Sequence, residues 1–242
     1  MAVSKYLTNE PIDIARGLVS GVSGIHKFGA VPAMSQSQTG TVWDVDDTVY
    51  PWASFATASV LTAQAVNVSD NNKKLTLVGL DANWEPLQEE ITLSSAGTVA
   101  TTNTFKRVFR GYISEGANNV AAVDVRIGAT TVLKINAGLG QTLMCVYTVP
   151  AGYTGYIIKG VCTSQSSADG NVGMFVRYDG QSAYRVGHTF EVAGSGGQYT
   201  YEFAVPIEIP AKSDIDVRIT TRSNNGRYTA AFDMILLEDS LS

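Results

Sequence analysis

The chain has 242 residues, which suits one large domain or two small ones. Charged residues make up only 16% of it, below the roughly 25% of an average soluble protein, so uncharged polar residues must cover much of the surface. The net charge of −5 argues against nucleic acid as a partner, because phosphate binding requires clustered Lys and Arg. No stretch reaches the ~20 apolar residues of a membrane span, and the first residues lack the apolar run of a signal peptide. We therefore expect a protein made in a cytoplasm that binds neither nucleic acid nor membrane.

Residues 1–40 differ from the rest of the chain. They are rich in Gly, Ser and Ala and show no alternation of period two, although residues 11–19 are compatible with a short helix. Such a long segment without regular structure is unusual inside a compact domain, yet it is too apolar for a disordered tail. We therefore predict an extended N-terminal arm that orders on another subunit; an arm wrapped around its own domain is the alternative. The predicted subunit-binding residues are Ile12, Ile14, Leu18, Val19, Val22, Ile25, Phe28 and Val31.

From residue 41 onward, short runs of alternating apolar and polar residues predict strands. Many short strands with almost no helix indicate an all-β fold, either a β-sandwich or a jelly roll. We predict two packed β units, 41–137 and 138–242, after the arm of residues 1–40; one continuous sandwich is the alternative. The predicted strands include 58–68, a hairpin over 75–93, then 104–114, 120–127, 131–135, 172–178, 183–192, 199–209, 215–221 and 228–237.

The stretch 141–163 is predicted to form a central hairpin. Residues 143–149 are apolar at successive positions, which is typical of a strand buried on both faces. Pro150 fits the turn, because it presets φ and lacks a backbone donor. Cys145 and Cys162 lie on the two predicted strands. A turn centred on residues 153–154 would place them opposite each other, whereas a turn centred on residues 151–152 would not. A disulfide and two free buried thiols are both compatible with the sequence.

The clearest alternation in the chain lies at residues 199–209. Its polar set should face solvent, and Pro206 predicts an edge strand or a bulge, because proline cannot donate to a ladder. The residues expected on the solvent side are Thr200, Glu202, Ala204, Pro206 and Glu208.

Few side chains suggest chemistry. His26 and His188 have no partners at metal-ligand spacing, and His188 is expected at the rim of a core. Asp44, Asp46 and Asp47 resemble a calcium loop but lack its spaced Gly and distal Glu, so a solvated turn is favoured over a cation site. We therefore predict a non-enzymatic protein without cofactor or metal.

Two further clusters have plain structural explanations. Acidic residues in the hairpin over 75–93 suggest paired catalytic carboxylates, but the exposed face of a hairpin accounts for them equally well. One basic patch contains aromatic residues and could bind sugar or nucleic acid, although a strand that buries its rings and solvates its charges is commoner. The acidic residues are Glu85, Glu89 and Glu90, and the basic residues are Lys106, Arg107 and Arg110.

Four segments resemble a group of tailed-bacteriophage virion proteins that is common in marine and freshwater viruses, and the resemblance covers nearly the whole chain. The segments are IARGLVSGVSGIHKFG, LTLVGLDANWEPLQEEITL, GQTLMCVYTVPAGYTGYI and AVPIEIPAKSDIDVRIT. These motifs are structural rather than catalytic. The resemblance implies a capsid decoration or cement protein, located in the virion after assembly in the host cytoplasm. Its implied partners are the major capsid protein or other virion proteins, and a homo-oligomer, with a trimer favoured.

Two other functions compete with decoration. A tail fibre, tail adaptor or receptor-binding module would contact the host through loops near 164–171 and 194–198. A carbohydrate-binding or hydrolytic sandwich would use Trp43, Trp52 and Trp84 with nearby carboxylates. The particle location and a glycan-binding assay discriminate among the three.

Overall fold

The computed structural model describes residues 10–165, 168–194 and 196–241. Within these residues the chain forms one short α-helix and sixteen strands. No described helix has the length and apolar character needed to cross a membrane. The elements are α1 (Glu10–Ala15), β1 (Val22–Met34), β2 (Thr39–Thr41), β3 (Thr62–Ala63), β4 (Lys74–Leu80), β5 (Pro86–Thr92), β6 (Val99–Ala100), β7 (Arg107–Glu115), β8 (Val123–Ile127), β9 (Thr130–Ile135), β10 (Val146–Thr148), β11 (Tyr153–Ser164), β12 (Gly170–Arg177), β13 (Arg185–Val192), β14 (Gln198–Ile209), β15 (Asp214–Thr221) and β16 (Gly226–Glu238).

Two antiparallel sheets form a jelly roll, which confirms the predicted all-β fold class. The first sheet has the order β1-β16-β11-β14, and the second has the order β10-β15-β12-β13, with β2 also paired to β15. From β10 to β16 the chain passes from one sheet to the other at each connection except that between β12 and β13, which is a double-sheet arrangement of the jelly-roll kind. The sheets bury one face each: along β16, Tyr228, Phe232 and Met234 are buried, whereas Thr229 is exposed.

The residues between β2 and β10, 42–145, form an insert with two small sheets. Their orders are β6-β3-β8-β9 and β5-β4-β7, and the predicted hairpin over 75–93 is confirmed as β4 and β5. Buried side chains of the insert and of the jelly roll belong to one continuous hydrophobic cluster. The division of the chain into units 41–137 and 138–242 stays a prediction.

Residues 22–41 differ from the predicted extended arm. β1 pairs with β16 from Val22 opposite Leu237 to Met34 opposite Gly226, and β2 pairs with β15. The alternation is hidden in the sequence because Lys27 and Gly29 face the interior and are buried there. Within residues 10–41, the parts outside the sheets are α1, at the predicted short helix, the turn after it and the link 35–38.

The predicted hairpin over 141–163 does not form. β10 pairs with β15 in the second sheet, whereas β11 lies between β14 and β16 in the first. The turn after β10 therefore carries the chain from one sheet to the other, while the doubly apolar segment around β10 is buried as expected. Cys145 and Cys162 are both buried and unbonded, and burial raises the pKa of each thiol, for Cys162 to about 12.

β14 is an edge strand, as Pro206 predicted. The register against β11 shifts where Phe203–Pro206 bulges past Ile158, and every residue of the predicted solvent set is exposed. His188 lies half-buried between β13 and β14, with its ring 5.1 Å from that of Tyr201, so its predicted place at the rim of the core is confirmed.

Lys27 is a buried cation where β1 meets the insert. Its Nζ donates a hydrogen bond to the backbone oxygen of Phe109 and lies 5.6 Å from the centre of that ring. Loss of hydration lowers the pKa of Lys27 to about 8, and the charge of Arg110 adds to this effect, whereas Cys145 opposes it.

Lys27 should make stability rise with pH. Its pKa is 10.5 in an unfolded chain and about 8 in the fold, so the unfolded chain binds more protons between these values. The free energy of unfolding should therefore rise by roughly 2–3 kcal/mol from about pH 8 to about pH 10.5, relative to Lys27→Met. Urea unfolding of both proteins across this range measures the difference. Parallel pH dependence in the two proteins would contradict the buried charge.

Candidate functional site: a groove beside the N-terminal helix

α1 lies against the outward face of the first sheet. A tight turn ends the helix, with the Gly17 nitrogen donating to the Ile14 oxygen at 2.9 Å and the Leu18 nitrogen donating to the Asp13 oxygen at 2.9 Å. Gly17 has φ +69°, a backbone conformation that glycine adopts without strain. The turn leads directly into β1, so the helix stands at the edge of the jelly roll.

A groove of about 620 Å³ runs between α1 and the sheet. Its walls are mainly apolar, and its polar groups come chiefly from His26 and Asp233, which contact each other through Nδ1 and Oδ1. An apolar groove next to exposed apolar side chains is typical of a surface that another chain covers. The lining residues are Pro11, Ile14, Ala15, Gly24, Ile25, His26, Ile158, Asp233, Met234 and Ile235.

The predicted subunit-binding residues divide by exposure. Ile12 and Leu18 are 52% and 61% exposed, while Val31 is 4% exposed and belongs to the core. Val31 therefore cannot contact another subunit, because its position on β1 places it inside the jelly roll. The remaining five residues are half-buried: Ile14, Val19, Val22, Ile25 and Phe28. Of these, Ile14 and Ile25 line the groove.

A buried ionic cluster joins the insert to the second sheet, and no local sequence pattern indicates it. Asp214 on β15 is 2% exposed and accepts hydrogen bonds from Arg107 Nε at 2.7 Å and Nη2 at 3.0 Å. It also contacts Arg177 and accepts from Thr148 Oγ1 at 2.7 Å. One carboxylate thus holds two guanidinium groups from different parts of the fold.

Asp216, two residues along β15, repeats this role. It accepts from Thr41 Oγ1 at 2.8 Å, from Trp52 Nε1 at 2.9 Å and from Arg218 Nε at 2.8 Å. The pair bonds the insert to the outward face of the second sheet. The expected surface patch of Lys106, Arg107 and Arg110 is therefore wrong for Arg107, which is buried.

The candidate acidic sites have structural partners. Asp46 Oδ1 accepts from the backbone nitrogen of Thr48 at 2.9 Å, as in a turn. Asp44 is instead buried against Asn136, and burial raises its pKa to about 6. Among the described residues, no group of three His, Cys, Asp or Glu side chains is placed to hold a metal ion.

The glutamates Glu89 and Glu90 of the β4–β5 hairpin accept hydrogen bonds from different structural partners. Glu89 accepts from the backbone nitrogen of Asn103 at 2.9 Å, and Glu90 accepts from Ser114 Oγ at 2.7 Å. Trp43 and Trp52 are 1% and 6% exposed, so they offer no open face for a sugar ring. Residues 166, 167 and 195 of the candidate receptor loops lie outside the described residues.

Comparison with known proteins gives no family. No protein-family model matches the chain, and no curated protein matches its sequence. Among solved structures, the chain is similar to one from the empty virus-like particle of cowpea mosaic virus, with 9% identity, a TM-score of 0.24, and 73% of this chain and 79% of that chain covered. It is also similar to the VP2 subviral particle of infectious bursal disease virus, with 9% identity, a TM-score of 0.23, and 92% and 73% covered.

These two likenesses are to viral particles, and neither is to a tailed-phage protein. TM-scores this low carry no argument about function. The assignment of a jelly roll therefore rests on the strand order of this chain and not on these likenesses.

Proposed function

We propose that this chain is a non-enzymatic structural component of a tailed-phage particle, namely a capsid decoration or cement protein. In this proposal it binds neighbouring subunits through α1, the turn after it and the adjoining groove, and it stabilises the shell. Its partners are the major capsid protein, other virion proteins and further copies of itself, with a homotrimer as the favoured assembly. Its location is the virion, after assembly in the host cytoplasm.

The observation that carries the proposal is the apolar groove beside exposed Ile12 and Leu18. Covering apolar side chains that are more than half exposed removes them from water, and this burial favours binding of the partner. The resemblance of the sequence to phage virion proteins agrees with this surface, and jelly rolls are common in viral capsids, although they also occur in lectins. Many copies on one particle would add weak contacts into firm attachment.

A double substitution tests the binding surface. Ile12→Ser with Leu18→Ser should weaken binding to purified undecorated particles by at least about tenfold, because two partly exposed side chains lose their apolar burial. The exposed pair Val66→Ser with Val68→Ser, in the insert, is the matched control, since these residues are 78% and 76% exposed. Sedimentation of protein with particles measures binding, and circular dichroism confirms that both variants fold.

Equal binding of the two double variants would exclude this surface. Immunogold labelling of intact particles tests the location separately: label over the head is expected. Label over the tail would instead support a fibre, an adaptor or a receptor-binding module.

A further inference from the structure

A second cavity, of about 270 Å³, opens where the insert meets one end of the second sheet. Its walls come from four parts of the chain: the turn around Trp52, the β4–β5 turn, the start of β7, and the loops that flank β12 and β15. Its volume is smaller than the roughly 300–1,000 Å³ of sites for drug-sized ligands, so it suits a small group. The residues that matter for its chemistry are Trp84, Lys106, Arg107, Arg177, Lys212 and Asp214.

The lining has an excess of positive charge in a chain whose net charge is −5. Four cationic side chains stand against two carboxylates, Asp179 and Asp214. Asp214 is already bonded to both Arg107 and Arg177, so a single negative charge balances two guanidinium groups. This leaves about two positive charges for a ligand, which matches a dianion.

The cationic groups are held in place before any ligand arrives. Arg107 donates from Nη1 to the backbone oxygens of Phe55 at 3.2 Å and Lys106 at 2.6 Å, which adds to its two bonds with Asp214. Arg177 uses Nε and Nη2 on Asp214. Among the described residues, Arg177 Nη1 and Lys212 Nζ have no hydrogen-bond partner, so both are available as donors. Lys106 Nζ donates to the backbone oxygen of Ala56 at 2.8 Å, and its remaining N–H groups are available to a ligand.

Cations lie over both tryptophan rings of the cavity. The Arg107 guanidinium lies 4.7 Å from the Trp84 ring centre and 5.6 Å from that of Trp52, and Lys106 Nζ lies 5.4 Å from Trp84. Arg177 lies 5.7 Å from the Trp52 ring. Because cations already contact both tryptophan rings, recognition by charge is favoured over stacking of a sugar ring on them.

Two residues of the lining hold an uncommon backbone conformation. Trp84 has φ +66° and Lys212 has φ +61°, although neither is glycine. Hydrogen bonds fix both: the Trp84 nitrogen donates to the Asp81 oxygen at 3.0 Å, and the Lys212 nitrogen donates to the Val149 oxygen at 2.9 Å. Backbone strain of this kind concentrates at ligand sites, where the surrounding fold enforces it.

We propose that this cavity binds an oxyanion of the phosphate or sulfate class, free or carried on a larger molecule, with Arg177, Lys106 and Lys212 as donors. Guanidinium groups match such oxygens geometrically, and the excess charge of the lining matches that of a dianion. Burial and the neighbouring Arg107 lower the pKa of Lys106, and a bound anion would reverse this shift. The site lies apart from the groove beside α1, so it does not depend on the particle-binding proposal.

Calorimetric titration with inorganic phosphate and with sulfate, at constant ionic strength in chloride, tests the site. Saturable binding is expected for the full chain. Lys212→Gln should weaken phosphate binding by at least about fivefold, because it removes one charged donor. This lysine has no part in the buried ionic cluster, so the variant should fold. Arg177→Gln should weaken binding further, and Arg126→Gln, which changes a half-exposed charge elsewhere, should leave it unchanged.

Phosphate that binds no more tightly than chloride would overturn the proposal, as would equal affinities of wild type and Lys212→Gln. A sugar phosphate and a sulfated disaccharide distinguish the sources of the anion. Tighter binding of either than of the inorganic ion supports a carried group, and equal affinity supports a free ion.

Discussion

Replacement of Asp214 by Asn should lower the free energy of unfolding by about 3–5 kcal/mol. The substitution keeps the shape of the side chain but removes the charge that balances Arg107 and Arg177. Arg107 has a side chain only 7% exposed, so water cannot replace the lost carboxylate. A buried guanidinium without its counter-charge is one of the few single changes that cost this much.

Urea unfolding, with Asp124→Asn as control, measures this effect. Asp124 pairs with Arg126 at 2.8 Å, but both side chains are partly exposed at 31% and 50%, so its loss should cost no more than about 0.5 kcal/mol. Adding Arg107→Met to Asp214→Asn should recover part of the loss, since the uncompensated cation disappears with its partner. A loss below about 1 kcal/mol for Asp214→Asn would mean that the cluster is hydrated.

Gly29→Ala should destabilise the protein by about 3 kcal/mol or more, because it overfills a site bounded by backbone. A Cβ at this position would overlap the Val42 oxygen and lie 2.7 Å from the Cys145 nitrogen. Both neighbours belong to main chain that enters or leaves the insert, so neither can yield as a flexible side chain would. Thermal and urea unfolding report the change.

Gly24→Ala on the same strand is the matched control for Gly29→Ala. Its nearest neighbour would be Ile14 Cγ2 at 4.0 Å, an ordinary van der Waals contact, so stability should change by less than about 0.5 kcal/mol. Similar small effects at both positions would show that β1 is a detachable segment, as the sequence first suggested. A large difference between them would place β1 within the cooperative fold.

Most strands of the second half were predictable because apolar inward positions alternate with more polar outward positions along them. In β16, Phe232 and Met234 alternate with Asp233, and this period survives in the sequence. β1 breaks the same rule, because its inward positions hold Lys27 and Gly29. Lys27 can be buried because its Nζ donates to the backbone oxygen of Phe109, and Gly29 is required because two main-chain segments approach it closely. Neither neighbour can be recognised from the local sequence.

The ionic cluster was unpredictable for a related reason. Asp214 and Arg107 are separated by 107 positions, and each looks like an ordinary solvated charge in its own segment. The cavity beside this cluster was equally hidden, because it depends on loops that only the folded chain brings together. The contact role expected for the apolar residues of the first segment stays a prediction, and two of these residues, Ile14 and Ile25, line the groove beside α1.

The pairing of β1 with β16 also bears on how the protein reaches its native state. Val22 and Leu237 are opposite each other although they are 215 positions apart, so β1 cannot pair until β16 has been synthesised. Contacts of such long range slow folding, because loop closure must precede any gain from pairing. On the ribosome, β1 would wait with an unpaired edge while the insert, whose strands pair locally, folds ahead of it. Chaperones that shield strand edges should therefore act on this chain until β16 has emerged to pair with β1.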